Sequence, residues 1–303
     1  MSLTEQAVEL VSVLVITHNR KEELEQCLKS VRRQNYPAVE IIVVDNNSTD
    51  GTATMIREQF SEVEYVGLEE NRGIEARNFG ADQAQGDVIV TLDDDSELPS
   101  RDVLDRIVEI FRRNSDLGAA GFRIIDAEGE EEPWFVWPYE GDGRNGYKSP
   151  TFLTCGAAIR PEMFERTGGF WGPYFIYVEE RDFATRIIAS GSEIRYFPSI
   201  TVIHHRSGTG RGQGRFLYYV TRNTIWYIWR NFPLFHAIGK TIGQLFKQGW
   251  RSFRKGGLGL YFKGIFDAIL GFGKVWRTRE PVDPQHLNWV DGKFEEGSSH
   301  KPG

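Results

Sequence analysis

The chain has 303 residues, 40% of them hydrophobic, and a formal net charge of −7. That is enough apolar mass for a large α/β domain with an appendage, and it reads as globular and soluble. Two cysteines, Cys27 and Cys155, cannot build a disulfide framework. No signal-like segment opens the chain, and no uncharged apolar run approaches the ~18 residues of a bilayer span, so a reducing cytoplasmic setting is expected and any membrane contact must be peripheral.

The acidic balance argues against nucleic acid as a partner, but the charge is uneven. Residues 237–279 hold nine Lys or Arg against one acid, Asp267, which makes that segment +8 and leaves −15 elsewhere. Such a basic tail suits an anionic surface.

Strand and helix patterns alternate through the first hundred residues. Val11–Ile16 is a β-rich run, 22–34 carries Leu24, Cys27, Leu28 and Val31 at helical spacing, and 40–44 is a second strand ending at Asp45. A helix over 52–60, a strand over 63–66, a helix over 74–84, a strand over 88–92 and a helix over 103–113 follow. β-Rich strands separated by helices predict a mostly parallel sheet covered on both faces, with ligands bound beyond the carboxyl ends of its strands.

Three polar clusters stand at those ends. Strand one exits into Thr17-His18-Asn19-Arg20, strand two into Asp45-Asn46-Asn47-Ser48-Thr49-Asp50-Gly51, and strand four into Asp93-Asp94-Asp95. Thr17, Asn19 and Ser48 to Gly51 also suit helix caps and turns, and three carboxylates in a row suit a solvated acidic turn. Three clusters facing one crevice point further, because packed like charges are relieved by a divalent cation, and hard oxygen ligands suit Mg²⁺ or Mn²⁺. The natural companion of such an ion is a diphosphate. The Asp95 carboxylate is expected to be exposed and to contribute little to stability.

The second half is less regular, with Gly- and aromatic-rich stretches at 133–147 and 168–177 that suggest an acceptor side built from loops. Residues 204–215 combine four glycines with Arg206, Arg211 and Arg215, which suits either a linker or a loop ordered by an anion. Trp134, Trp137, Trp171 and Tyr174 are candidate sugar-stacking platforms, although a loop aromatic also serves packing. From Phe216 to Trp276 the pattern turns helical. At 100° per residue Lys240, Lys247, Arg251 and Arg254 share one face, opposite Ile238, Ile242, Leu245, Phe246 and Phe253, a pattern for lying on a membrane surface or packing on protein.

Seven stretches in order carry a resemblance across about residues 11–230. They are Val-Ile-Thr-His-Asn-Arg (15–20), Ile-Val-Val-Asp-Asn-Asn-Ser-Thr-Asp-Gly (42–51), Asn71-Arg72-Gly73 with Ala76-Arg77-Asn78-Phe79-Gly80, Leu-Asp-Asp-Asp (92–95), Gly156-Ala157-Ala158-Ile159-Arg160, Gly168-Gly169-Phe170, and Tyr177-Val178-Glu179-Glu180-Arg181-Asp182-Phe183. The chain resembles the inverting, GT-A-fold, nucleotide-sugar-dependent glycosyltransferases of family 2, including its rhamnosyltransferases. The resemblance implies a UDP- or dTDP-linked sugar donor, a glycan or lipid-linked acceptor, and polysaccharide or glycolipid biosynthesis, in the cytoplasm or on the inner face of its membrane.

By the same resemblance Thr17, Asn19, Arg20, Asp45, Asn71, Gly73, Arg77, Asp93 and Asp94 would hold the donor, with Asp45 reading the base and Arg77 touching base or diphosphate. Asp95 and Asp93 would ligate the metal, joined by His204 or His205. Transfer also needs a carboxylate to take the acceptor proton, and Glu179, Glu180 and Asp182 are the candidates, with Glu180 in the position where the family often has Asp. Acids at a helix N-terminus are also favoured for their charge alone. A nucleotidyltransferase would want a glycine-rich loop after strand one, which 17–22 lacks. A non-catalytic scaffold would be expected to have lost carboxylates that stand here.

The domain reading is a GT-A catalytic unit over 1–230, with a donor half (11–115) and an acceptor half (116–230), then a helical segment over 231–290 and a disordered tail over 291–303.

Overall fold

Successive residues of a strand point to opposite faces, so β-strands that are apolar throughout need a core on each side. The computed structural model describes residues 10–131, 145–205 and 213–293. Strands β1 (Val11–Thr17), β2 (Val39–Asp45), β3 (Glu64–Gly67) and β4 (Val88–Asp93) alternate with helices α1 (Lys21–Arg32), α2 (Thr52–Gln59) and α3 (Ala76–Gln83). Val13, Val15, Val43 and Val90 are buried in one core with Leu24 and Leu28 of α1 and Ile56 of α2. Leu14, Ile42, Val44 and Ile89 belong to the other, with Ala76 of α3.

These four strands are parallel and lie in the order β3-β2-β1-β4. The chain leaves β1 on one side for β2 and returns on the other for β4, creating a switch point whose carboxyl ends open a crevice. Thr17 is registered beside Asp45, and Ile16 beside Asp93.

Beyond β4 come β5 (Ser96–Glu97), α4 (Val103–Arg113), β6 (Leu117–Ile125), β7 (Tyr147–Lys148), β8 (Gly156–Ile159), α5 (Glu162–Thr167), α6 (Glu179–Ala189) and β9 (Glu193–His204). They extend the sheet as β4-β8-β6-β9-β5, with β7 also on β9. β8 runs antiparallel to β4 and β6, whereas β6 and β9 are parallel. The half expected to be loops therefore contains two long strands. β6 escaped the sequence pattern because its Gly118-Ala119-Ala120-Gly121 centre lacks the β-branched signal. Its smallness has a use, since the ring-bearing Phe152 packs against Gly121.

The chain ends in α7 (Gln213–Asn231), α8 (Leu234–Arg254), α9 (Leu258–Leu270), α10 (Phe272–Arg277) and α11 (Leu287–Val290). No helix among the described residues is long and apolar enough to cross a membrane.

Asp182 bolts α7 to α6. Its Oδ2 accepts hydrogen bonds from Arg186 Nη2 at 2.7 Å and Arg230 Nη1 at 2.6 Å, while Oδ1 accepts from Asn231 Nδ2 at 2.6 Å and the Tyr174 hydroxyl at 3.0 Å. The carboxylate is fully buried. Burial alone would raise its pKa, but Arg186 and Arg230 hold it below the usual carboxylate range. Both oxygens are committed to this network, which corrects the reading of Asp182 as a candidate base.

Removing one partner of a buried ion cluster strands the others and costs roughly 3–5 kcal/mol. Asp182→Asn is therefore expected to lower stability by about 3 kcal/mol or more in denaturant titrations. Because the native pKa is depressed, this stabilisation is present at neutral pH and is lost as pH falls through the native value. The gap between wild type and Asp182→Asn should narrow in acid; a gap independent of pH would refute the ionic account.

Candidate active site

The three strand-end clusters meet through direct bonds. Thr17 Oγ1 donates to Asp94 Oδ2 at 2.9 Å, and the Asn46 amide donates to the Thr17 carbonyl at 2.9 Å. The Asn19 amide donates to Ser48 Oγ at 2.8 Å, and its side chain accepts from the Thr49 amide at 2.7 Å. Asn19 and Asn47 both adopt positive φ, of 55° and 64°, a conformation asparagine tolerates better than most residues. Asp45 is buried, with Oδ1 accepting from the Ser48 amide and Oδ2 from the Tyr65 hydroxyl, each at 2.8 Å. Asn71 Oδ1 caps the Gly73 amide at 2.8 Å.

The acidic run is not uniformly solvated. Asp94 and Asp95 are buried, and Asp93 keeps 32% of its side chain exposed. Arg20 Nη1 bridges Asp94 Oδ1 and Asp95 Oδ2 at 3.0 Å each. Burial pushes Asp94 up to about 7, Arg20 opposing the shift and Asp95 and Asp93 adding to it. The expectation of a freely exposed Asp95 is thereby corrected, since its carboxylate is part of the folded core of the crevice.

Arg77 is also buried, and its Nη2 reaches Asp93 Oδ1 at 2.5 Å and the Leu92 and Thr154 carbonyls at 3.3 and 3.4 Å. Its place is beneath Asp93, where it orients that carboxylate instead of presenting a cation to the crevice surface.

The two histidines part company at the end of β9. His204 is buried with Nε2 3.1 Å from Asp95 Oδ1 and 3.9 Å from Asp93 Oδ2. His205 points away, its Nε2 3.0 Å from Glu97 Oε2. Strand alternation separates them, which removes His205 from the acidic centre.

Opposite this wall the chain makes a turn that ordinary residues avoid. Phe175, Tyr177 and Val178 have φ of 66°, 67° and 75°, and a β-branched residue there is a true outlier. Such strain persists only where surroundings enforce it. The enforcement comes from α7, whose buried Asn223 Nδ2 donates to the carbonyls of Tyr174, Ile176 and Tyr177 at 3.1, 2.7 and 2.8 Å. The Gly73 loop docks on the same turn: the Ile74 amide donates to the Phe175 carbonyl at 2.9 Å, and a Cβ on Gly73 would lie 2.2 Å from that oxygen.

The turn delivers Glu179 and Glu180 at the start of α6. Glu179 is 5% exposed, with no hydrogen-bond partner on Oε2. Glu180 is half-buried, and its Oε1 accepts from Thr154 Oγ1 at 3.3 Å. Burial raises both pKa values, with the Glu180 charge adding to the shift of Glu179 and the Asp93 charge to that of Glu180. Asp93, Arg77, Thr154 and Glu180 thus form a continuous line from the acidic centre to a carboxyl whose pKa is raised by burial.

The Glycosyl transferase family 2 sequence model matches residues 12–169. This chain belongs to that family. A Staphylococcus epidermidis poly-beta-1,6-N-acetyl-D-glucosamine synthase is 36% identical over 117 residues, covering 38% of this chain and 28% of the synthase. The chain spans about half the length of other curated relatives that it matches. Among solved structures, S. aureus TarS 1-349 in complex with UDP-GlcNAc superposes with a TM-score of 0.66 at 16% identity, covering 94% of this chain and 88% of that one. The mannosyltransferase PcManGT from Pyrobaculum calidifontis, in complex with GDP-Man and Mn2+, gives 0.59 at 20% identity, covering 93% and 83%. These structures share the GT-A fold expected from the sequence.

Within this family 2 glycosyltransferase the donor set fits a divalent ion. Asp93, His204 and Cys155 each offer a ligand atom, all within 4.8 Å of one another. Cys155 was missed because a lone cysteine before β8 carries no spacing signal; only the β4–β8 pairing brings it beside Asp93. The carboxylate suits Mg²⁺ or Mn²⁺, while the imidazole and thiol donors suit softer transition ions. Tyr65 and Asn223 were missed too, being an aromatic in a strand pattern and an asparagine inside a helix.

Other candidates lie elsewhere. Tyr174 is fully buried on Asp182, and Trp171 packs edge-on against Tyr174 and Trp226, so both serve packing. Trp134, Trp137, Arg206 and Arg211 fall outside the described residues.

With Co²⁺ as a spectroscopic probe, the metal-loaded protein should show a near-ultraviolet thiolate-to-metal absorption that Cys155→Ser abolishes while binding persists through Asp93 and His204. An unchanged spectrum in Cys155→Ser would exclude the thiol from the site.

Proposed function

We propose that this family 2 enzyme transfers a hexosyl residue with inversion from a UDP- or dTDP-linked donor to a hydroxyl of a glycan or lipid-linked acceptor, in polysaccharide or glycolipid biosynthesis on the cytoplasmic side of the membrane. The observation that carries the reading is Glu180, a half-buried carboxyl with a raised pKa at the start of α6 just after a strained turn, joined through Thr154 and Arg77 to the acidic end of β4. Donor-bound structures with the same fold, and a relative named as a polysaccharide synthase, support the class of donor and product.

The nucleoside lies in the crevice over the β1 and β2 ends, where Asp45, Asn19, Asn71 and Gly73 shape its walls. Thr17, Arg20 and Asp94 hold the floor beneath it. Asp93, His204 and Cys155, with Asp95 beside His204, are the residues that would hold Mn²⁺ or Mg²⁺. When bound, the ion neutralises charge on the departing diphosphate.

Glu180 takes the proton of the acceptor hydroxyl as its oxygen bonds to the anomeric carbon, and the bond from that carbon to the diphosphate breaks with its electron pair on the phosphate oxygen. One displacement inverts the anomeric centre. The raised pKa suits a general base, because a carboxyl that holds its proton more tightly is the stronger acceptor. Glu179, buried beside it, has its own pKa raised by burial and by the Glu180 charge.

Glu180→Gln should reduce turnover about 10²–10⁴-fold while nucleoside diphosphate affinity changes little. The wild-type rate should fall as pH drops through the raised value of the base, above the ordinary carboxylate range. Near-normal turnover in Glu180→Gln would move the role to Glu179.

A further inference from the structure

Among the described residues sixteen large apolar side chains are exposed, and fourteen of them lie between Leu234 and Trp276, on α8, α9 and α10. Phe235, Phe246 and Trp250 on α8 are 87%, 75% and 64% exposed, and Phe262, Ile269 and Leu270 on α9 are 62%, 67% and 69% exposed. Isolated apolar side chains on a surface are ordinary; a contiguous patch of this kind marks an interaction face.

The amphipathic helix is turned so that part of its polar face looks inward. Lys240 pairs with Asp291 at 2.5 Å and lies over the Phe232 ring at 4.5 Å, while the Arg251 guanidinium lies over the Phe216 ring at 4.9 Å. Ala237 and Ser252 are buried on the same side. Two of the four cations expected to meet a membrane are therefore tied to the protein. The apolar face is left outward, where Phe246, Trp250 and Phe253 with Tyr261 of α9 line an open groove of about 710 Å³.

We propose that this face seats the enzyme in the interfacial layer of an anionic bilayer, with α8 and α9 lying in the membrane plane, the groove admitting an acyl chain, and a rim of exposed cations meeting the headgroups. Lys247, Arg254, Lys255, Lys274 and Arg277 are exposed cations around the patch, and Lys263 is exposed but paired with Asp267. Long basic side chains suit that position because their stems cross the apolar layer while their charges stay in water. A second copy is the disfavoured occupant: pairing this face with itself would set two +8 segments against each other, and like-charge juxtaposition opposes association. An anionic lipid surface offers apolar contact and the opposite charge together.

The experiment uses the full chain with vesicles of phosphatidylcholine alone or with phosphatidylglycerol, read by flotation and by quenching of tryptophan fluorescence with bilayer-brominated lipid. Wild type should float with anionic vesicles and be quenched. Phe246→Ser combined with Phe262→Ser, two exposed positions whose folding is checked by circular dichroism, should reduce partitioning about tenfold or more. Glutamine at Lys247, Arg254, Lys255, Lys274 and Arg277 should remove the preference for anionic lipid and its salt sensitivity. Failure of wild type to float, binding indifferent to the serine substitutions, or a concentration-dependent dimer in sedimentation that those substitutions dissolve would each overturn the proposal.

Discussion

Three carboxylates at the end of one buried strand repel one another, and the site is organised around the cations that make this arrangement stable. Arg20 divides its guanidinium between Asp94 and Asp95, and the buried Arg77 holds Asp93 from beneath. Both arginines come from elements next to β4, one from the loop after β1 and one from α3. The parallel order β2-β1-β4 is what brings them there. With Asp94 and Asp95 held inside the protein, Asp93 is the carboxylate left with access to the crevice, beside His204 and Cys155.

A second constraint fixes the opposite wall. Asp182 secures α6 to α7 through Arg230 and Asn231, and α7 then uses Asn223 to keep residues 174–177 in a conformation their side chains disfavour. Interactions within the protein thus hold the strain that aims Glu179 and Glu180. The Gly73 loop leans on the same turn, so that loop and the start of α6 are mechanically joined.

The first half of the chain was legible because β-branched runs and helical stripes repeat on a regular period, and because polar clusters at the ends of parallel strands must face one crevice. Legibility failed where small residues build a strand, as at Gly118 to Gly121, and where a residue's role depends on a distant element. Asp182 and Glu180 are alike in sequence, both acids in the first turn of α6, yet one faces two arginines of the helical core and the other faces Thr154 and the crevice. Spacing could not tell them apart. Arg77 was expected at the ligand and lies under a carboxylate, a distinction that burial makes and composition does not. The same limit applies to α8, whose stripe of apolar residues was plain but whose outward direction was set by Lys240 pairing with Asp291, just after α11, and Arg251 stacking on Phe216 of α7.

Under the proposed function, Asp93 and His204 hold a divalent ion together with the donor diphosphate. Electron paramagnetic resonance of Mn²⁺ titrated into the protein with a nucleoside diphosphate tests it most directly. One tightly bound ion per chain is expected, with a spectrum that needs the nucleotide and is lost in His204→Ala; a bound-ion spectrum unchanged by that substitution would refute the assignment.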